Sequence, residues 1–192
     1  MVNVKFDILQ LLIENQDKKF SIREISKILD VNYKSAYLAI KKLEIEEVVN
    51  LIKFGNTTSC SFNRKFNLSV FEVEFFRRKE LLKRKDFKII NEKLNSFKFP
   101  FIGLLFGSYV GSKVSRESDI DLLIITENEK EVNRNLKLIP LEIHLTIFSY
   151  EEFLKMLRSK EFSVVSEATK KNIILFGIEE YYKFLEIGLN AE

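Results

Sequence analysis

The order of apolar and polar positions divides this chain of 192 residues into a helical first part and a mixed second part. VKFDILQLLIEN carries Val4, Ile8 and Leu12 at i, i+4 and i+8 with Leu9 alongside, the spacing of one helix face. In SIREISKIL, Ser21 and Glu24 have the S-x-x-E spacing of a capping box ahead of Ile25, Ile28 and Leu29. After DVN a third helix is predicted from Tyr33, with Asn32 as its N-cap. On it Ala36, Ile40 and Leu43 face inward, and Tyr33, Lys34, Tyr37, Lys41 and Lys42 face outward. VVNLIKF and SCSFN flank GNTT, whose Gly55-Asn56 tolerates positive φ, so a β-hairpin is predicted. From about Ser69 to Phe97 the chain reads as helical and basic. There Phe87, Ile90, Leu94 and Phe97 form a stripe suited to packing on a sheet.

From residue 101 the period changes. FIGLLFG and IDLLIIT are unbroken apolar runs, the pattern of buried strands. LEIHLTIFS alternates, with Leu141, Ile143, Leu145 and Ile147 on one face and Glu142, His144 and Thr146 on the other. YEEFLKMLRS and VVSEATKKN read as helices, IILFG as a short strand or buried turn, and IEEYYKFLEIGL as a last helix packed through Tyr181 and Tyr182. The pattern predicts residues 1–68 as one domain, 69–85 as a helical connector and 86–192 as a second domain. The fold class is two-domain α+β.

Composition narrows the class. At 46% hydrophobic and 31% charged, the chain is of ordinary globular make-up. No apolar run approaches the ~20 residues of a membrane helix, so no membrane association is expected. MVNVKFDILQ has none of the features of a signal peptide, and Cys60 is the sole cysteine, so a cytoplasmic location is expected. The net charge of +3 is uneven: residues 1–65 carry 11 Lys/Arg against 8 Asp/Glu, residues 66–100 carry 9 against 5, and residues 101–192 carry 11 against 15. Such a split points to two modules with different partners. The RRK and KRK runs of the connector fit a solvated helix face better than a nucleic-acid contact.

The chemistry concentrates in FGSYVGSKVSRESDIDLLIIT. Gly107 ends a strand and allows close backbone approach, and Ser108 offers a hydroxyl where a short helix would present free N–H groups to phosphate. Asp119 and Asp121, two apart on a strand, project from one face. Carboxylates so crowded repel unless a cation lies between them, and hard oxygen donors suit Mg²⁺. Phosphate held beside two carboxylates is a two-metal phosphoryl-transfer design.

Residues 1–65 resemble a winged helix-turn-helix domain: SIREISKILDVNYKSAYLAIKKLEIEEVV supplies the helices and LIKFGNTTSCSFN the wing. Glu47 departs from it, standing where such domains often carry glycine. The resemblance implies binding of double-stranded DNA as a homodimer through Asn32, Tyr33, Lys34, Ser35, Tyr37, Lys41, Lys42 and Lys53, with Arg64 and Lys65 on phosphates. Use of this module on a protein alone is the competing reading. Gly-Ser, ten residues, then D-I-D-L between strands resembles the minimal nucleotidyltransferases of the DNA polymerase beta superfamily, over roughly residues 86–190. That resemblance implies a small mixed β-sheet flanked by helices, with ATP or another nucleoside triphosphate as substrate. It also implies nucleotide contacts at Gly107, Ser108, Lys113 and Ser118 and Mg²⁺ on Asp119 and Asp121, with Glu142 as third carboxylate, ligand or base. Gly111-Ser112 departs from it, where relatives carry a basic residue and a glycine; Lys113 or Arg116 would then supply the charge. His144 reads as a polar strand residue. Such domains pair with helical HEPN proteins in toxin–antitoxin systems, and some AMPylate a tyrosine of that partner. The expected activity is transfer of AMP to a hydroxyl. The alternative is a winged-helix transcriptional regulator whose second domain is a nucleotide sensor or inactive scaffold.

Overall fold

The computed structural model describes residues 3–55, 57–110, 119–159 and 161–189. By internal contacts the chain forms two compact units, Met1–Val73 and Glu74–Glu192.

The first unit holds α1 (Val4–Glu14), β1 (Phe20–Ser21), α2 (Ile22–Ile28), α3 (Tyr33–Ile45), β2 (Val49–Phe54) and β3 (Thr57–Phe62). This is the predicted succession of three helices and a hairpin, with β1 added at the edge of an antiparallel sheet of order β1-β3-β2. The two caps form as the sequence predicts. The Glu24 N–H donates to the Ser21 hydroxyl at 3.2 Å while the Ser21 N–H donates to the Glu24 carboxylate at 2.7 Å. The Ser35 N–H donates to Asn32 Oδ1 at 2.8 Å. Ile8, Leu9, Leu12, Ile25, Ala36, Ile40 and Leu43 are buried together. Ile28, the last residue of α2, is 53% exposed. Phe54 pairs with Thr57, so the hairpin turns through two residues, and Gly55 takes φ +58. Glu47 takes φ +57, a left-handed conformation that favours glycine, so its side chain here accepts strain of about 1–2 kcal/mol. Its carboxylate is ion-paired with Lys65. Cys60 is buried in β3, and burial pushes its thiol up to about 12.

α4 (Leu68–Leu81) runs across the division between the units, and α5 (Lys85–Asn95) leads into the second sheet. That unit continues with β4 (Ile102–Phe106), a 3₁₀ turn (Gly107–Val110), β5 (Ile120–Ile125), α6 (Glu129–Leu136), β6 (Ile143–Phe148), α7 (Tyr150–Arg158), α8 (Val164–Lys170), β7 (Ile173–Phe176) and α9 (Ile178–Leu189). The sheet order is β6-β5-β4-β7; β4 runs antiparallel to both neighbours, and β5 and β6 are parallel. This is the small mixed sheet expected. Parallel neighbours need a crossover, and α6 occupies it, tied down by buried Val132 and Leu136. The apolar stripe of α5, Phe87, Ile90 and Leu94, joins Leu105, Leu122 and Ile124 in one core. Leu104, Leu123, Ile125 and Ile174 are buried as well, which accounts for apolar runs without alternation.

The basic run of α4 differs from the solvated face expected. Arg77 is buried: it donates to the Glu74 carboxylate at 2.6 Å and to the Asn172 carbonyl at 2.7 Å. Arg78 donates to the Leu175 carbonyl at 2.9 Å, and burial lowers its pKa. The Tyr182 hydroxyl donates to the second Glu74 oxygen at 2.6 Å. Desolvation makes an unpaired buried charge costly, so Arg77 and Glu74 lie where each satisfies the other. No helix among the described residues is long and apolar enough to cross a membrane.

Candidate functional site

Three strands of the second unit bring the predicted residues to one end of the sheet. Phe106, the last residue of β4, pairs with Asp121 on β5, and on the other side His144 of β6 stands opposite Asp121. Asp121 therefore has a neighbour from each flanking strand. Residues two apart share a strand face, which sets Asp119 on the same side just ahead of β5. The Ile120 N–H donates to the Glu142 carbonyl at 3.1 Å, carrying the ladder one step past the start of β6 and bringing Glu142 to the same end.

Gly107 opens the 3₁₀ turn at φ +70, and the Asp121 carboxylate packs over its Cα. A β-carbon there would overlap Oδ2 of Asp121 and stand 2.8 Å from its Cγ. This close approach gives a physical reason for glycine at the start of the Gly-Ser pair. The turn is anchored through Tyr109, which meets Phe87 edge-on at 5.3 Å under the Arg84 guanidinium, 4.9 Å from the tyrosine ring. Ser108 is exposed on this turn. The described part of the expected phosphate-binding helix is thus a four-residue turn. Lys113, Ser118, Gly111, Ser112 and Arg116 lie outside the described residues.

His144, which the sequence favours as a polar strand residue over a catalyst, is in direct contact with Asp121: its Nδ1 lies 3.2 Å from Asp121 Oδ1. Among the described residues no group of three or more His, Cys, Asp and Glu is gathered to hold a metal. The predicted set of Asp119, Asp121 and Glu142 is therefore not a closed cage, since Glu142 precedes β6 and is exposed while Asp121 is turned to His144. Mg²⁺ on a nucleotide is commonly held by one or two carboxylates, with phosphate and water completing its shell. The donors here fit an ion bound in that way and not one held by protein alone.

In the first unit, Tyr33 and Tyr37 stack on the outer face of α3, ring centroids 6.4 Å apart and planes at 19°. Lys34, Lys42 and Lys53 are exposed. Asn32 and Ser35 are joined in the cap of α3. Lys41 donates to Glu44 at 2.7 Å, an interaction that raises its pKa. Beside this face a groove of about 630 Å³ is lined by Ser21, Arg23, Lys27, Tyr33, Thr57 and Thr58 among others. Arg23 and Lys27 add basic groups that the sequence reading did not single out.

The comparisons with known proteins bear on the second unit. Residues 88–181 match the family Polbeta, described as "Polymerase beta, Nucleotidyltransferase". The matched span contains Gly107, Asp119, Asp121, Glu142 and His144, so the sheet end described above lies within a segment similar to a nucleotidyltransferase domain. No curated protein matches. A solved structure, reduced HlyU from Vibrio cholerae N16961, is similar at 19% identity and a TM-score of 0.33, over 40% of this chain and 76% of its own. At that score the likeness does not establish a shared fold.

Proposed function

We propose that the second unit transfers a nucleoside monophosphate, most simply AMP from ATP, to a hydroxyl acceptor with release of pyrophosphate. The observation that carries this reading is the lodging of the Asp121 carboxylate against Gly107 at the sheet end, inside the family-matched span. Asp119 and Asp121 would hold Mg²⁺, which supplies neutralisation of phosphate charge when bound. Gly107 makes room for the Asp121 carboxylate beside the turn, and the Ser108 hydroxyl would donate to a phosphate oxygen. Glu142 would complete the carboxylate set or accept the proton of the attacking hydroxyl. The acceptor we favour is a tyrosine of a helical HEPN-type partner, as in an antitoxin. Incubation with α-labelled ATP, Mg²⁺ and such a partner should label the partner. Asp119→Asn with Asp121→Asn should cut labelling by about 100-fold or more. Equal labelling by the double variant would remove the carboxylates from the mechanism.

The first unit, in this reading, is a winged helix that binds double-stranded DNA as a homodimer through the exposed face of α3 and the wing. The stacked tyrosines flanked by Lys34 and Lys42 support it, aromatic and cationic groups being suited to bases and phosphates. Lys34→Ala should weaken binding evenly across DNA sequences and reduce the salt slope by about 1. An unchanged slope in a salt titration of DNA binding would remove Lys34 from the interface. A regulator with an inactive second unit is the other reading, favoured by the open carboxylate set. It predicts DNA binding without labelling.

A further inference from the structure

Asp121 is held from both flanking strands. Its Oδ2 lies over Gly107, and its Oδ1 is 3.2 Å from Nδ1 of His144. An ionised carboxylate only accepts, so in such a pair the imidazole donates from Nδ1–H. Burial does not account for His144, because its side chain is 73% exposed while that of Asp121 is 24% exposed. The parallel register does: it sets the two residues directly opposite each other on adjacent strands. An aspartate without this partner would lose a hydrogen bond that fixes its carboxylate on the side away from Gly107.

We propose that His144 is a positioning residue, one that holds the Asp121 carboxylate against Gly107 in the orientation that receives a divalent cation and its nucleotide. This rests on the reading of Asp119 and Asp121 as the cation's ligands. Hydrogen-bond partners of a ligating group set its direction and basicity, and their loss typically weakens metal affinity about 10–100-fold. His144 acts through Asp121 by its N–H, so any side chain that offers a donor at the same place should serve. Asparagine does, since its amide nitrogen is attached to Cγ as Nδ1 is.

The experiment is Mn²⁺ titration of the full chain, with a non-hydrolysable ATP analogue present, read by electron paramagnetic resonance of the free ion. His144→Ala should weaken Mn²⁺ binding by about tenfold or more. His144→Asn should recover most of that loss, and both variants should unfold at the wild-type denaturant midpoint. In the bound wild type, electron spin echo spectra should show no directly coordinated imidazole nitrogen. Three results would overturn the proposal: wild-type affinity in His144→Ala, no recovery in a folded His144→Asn, or a nitrogen ligand on the bound manganese. Asp119→Asn with Asp121→Asn tests the underlying reading separately. If that double variant binds Mn²⁺ as the wild type does, the ligand assignment fails and the role of His144 with it. If it loses the ion and His144→Ala does not, only the positioning role fails.

Discussion

Gly107→Ala should weaken the Mg²⁺–ATP binding proposed for the second unit by up to about 100-fold, whereas Gly55→Ala should leave it unchanged. The two glycines have nearly the same backbone, at φ +70 and +58, so each substitution accepts left-handed strain of about 1–2 kcal/mol. Their surroundings differ. Among the described residues, its chain neighbours apart, nothing stands within 4 Å of a β-carbon at Gly55. At Gly107 the new atom would overlap Oδ2 of Asp121 and stand 2.8 Å from its Cγ and 3.2 Å from its Cβ. The carboxylate cannot slide away freely, because His144 holds Oδ1 on the other side. Either the Asp121 rotamer changes or the end of β4 shifts, and disturbing the orientation of a metal-ligating group typically costs about 10–100-fold in affinity. Calorimetric titration with Mg²⁺–ATP, beside denaturant unfolding, separates the local clash from the shared strain. Equal nucleotide affinity in the two variants would mean that the approach of Asp121 to Gly107 serves packing alone.

The largest effect on stability is expected at Arg77. Glu74 has no exposed surface, and both its oxygens are occupied, one by Arg77 and one by Tyr182. Arg77→Met removes the cation and also a donor to the Asn172 carbonyl. Breaking one side of a buried pair typically costs about 3–5 kcal/mol, a large share of the roughly 5–15 kcal/mol that holds a domain folded. Glu74→Gln in addition should return part of the loss, since it removes the stranded charge and keeps an acceptor for Tyr182. Tyr182→Phe tests the third member. Burial, and then the Glu74 charge, raise the Tyr182 pKa well above its ordinary value. Below pH ~10 the tyrosine is neutral in both states. Above it the unfolded chain releases the proton while the folded chain retains it, so stability falls as pH rises towards the folded pKa. Tyr182→Phe should remove up to about 1.4 kcal/mol per pH unit of that fall. It should also lose about 1.5–3 kcal/mol at neutral pH from the bond to a charged acceptor. Denaturant unfolding at pH 8 and pH 11 checks both; parallel losses in wild type and variant would exclude Tyr182 as the source.

What could be read from sequence followed from periods. Val4, Ile8 and Leu12 recur at helical spacing, and the Ser21–Glu24 and Asn32 caps need only local hydrogen bonds, so these elements form as predicted. The unbroken runs of β4 and β5 could be read because both faces of the sheet are covered. Elements that depend on distant partners could not. β1 is two residues long and exists by pairing with Cys60 and Ser59. α6 shows only Val132 and Leu136 as buried apolar residues in a polar segment, too few to fix a period. Arg77 sits in a basic run, and nothing local says that Glu74, Asn172 and Tyr182 surround it. At the sheet end, Gly107, Asp119 and Asp121 carried a spacing that could be recognised. His144 did not, because its contact with Asp121 depends on the register of two parallel strands, which no local pattern encodes.

That register makes the pairing of β5 with β6 a ruler for the site. Side chains alternate faces at every residue, so a slip of one position would turn His144 away and present Ile143 or Leu145 to Asp121. A slip of two would restore the face but bring Glu142 or Thr146 alongside instead. The crossover between β5 and β6, with α6 packed through Val132 and Leu136, delivers β6 in the register that sets His144 opposite Asp121 and Glu142 at the same sheet end. A change that shifted this register would alter the site without changing any residue in it.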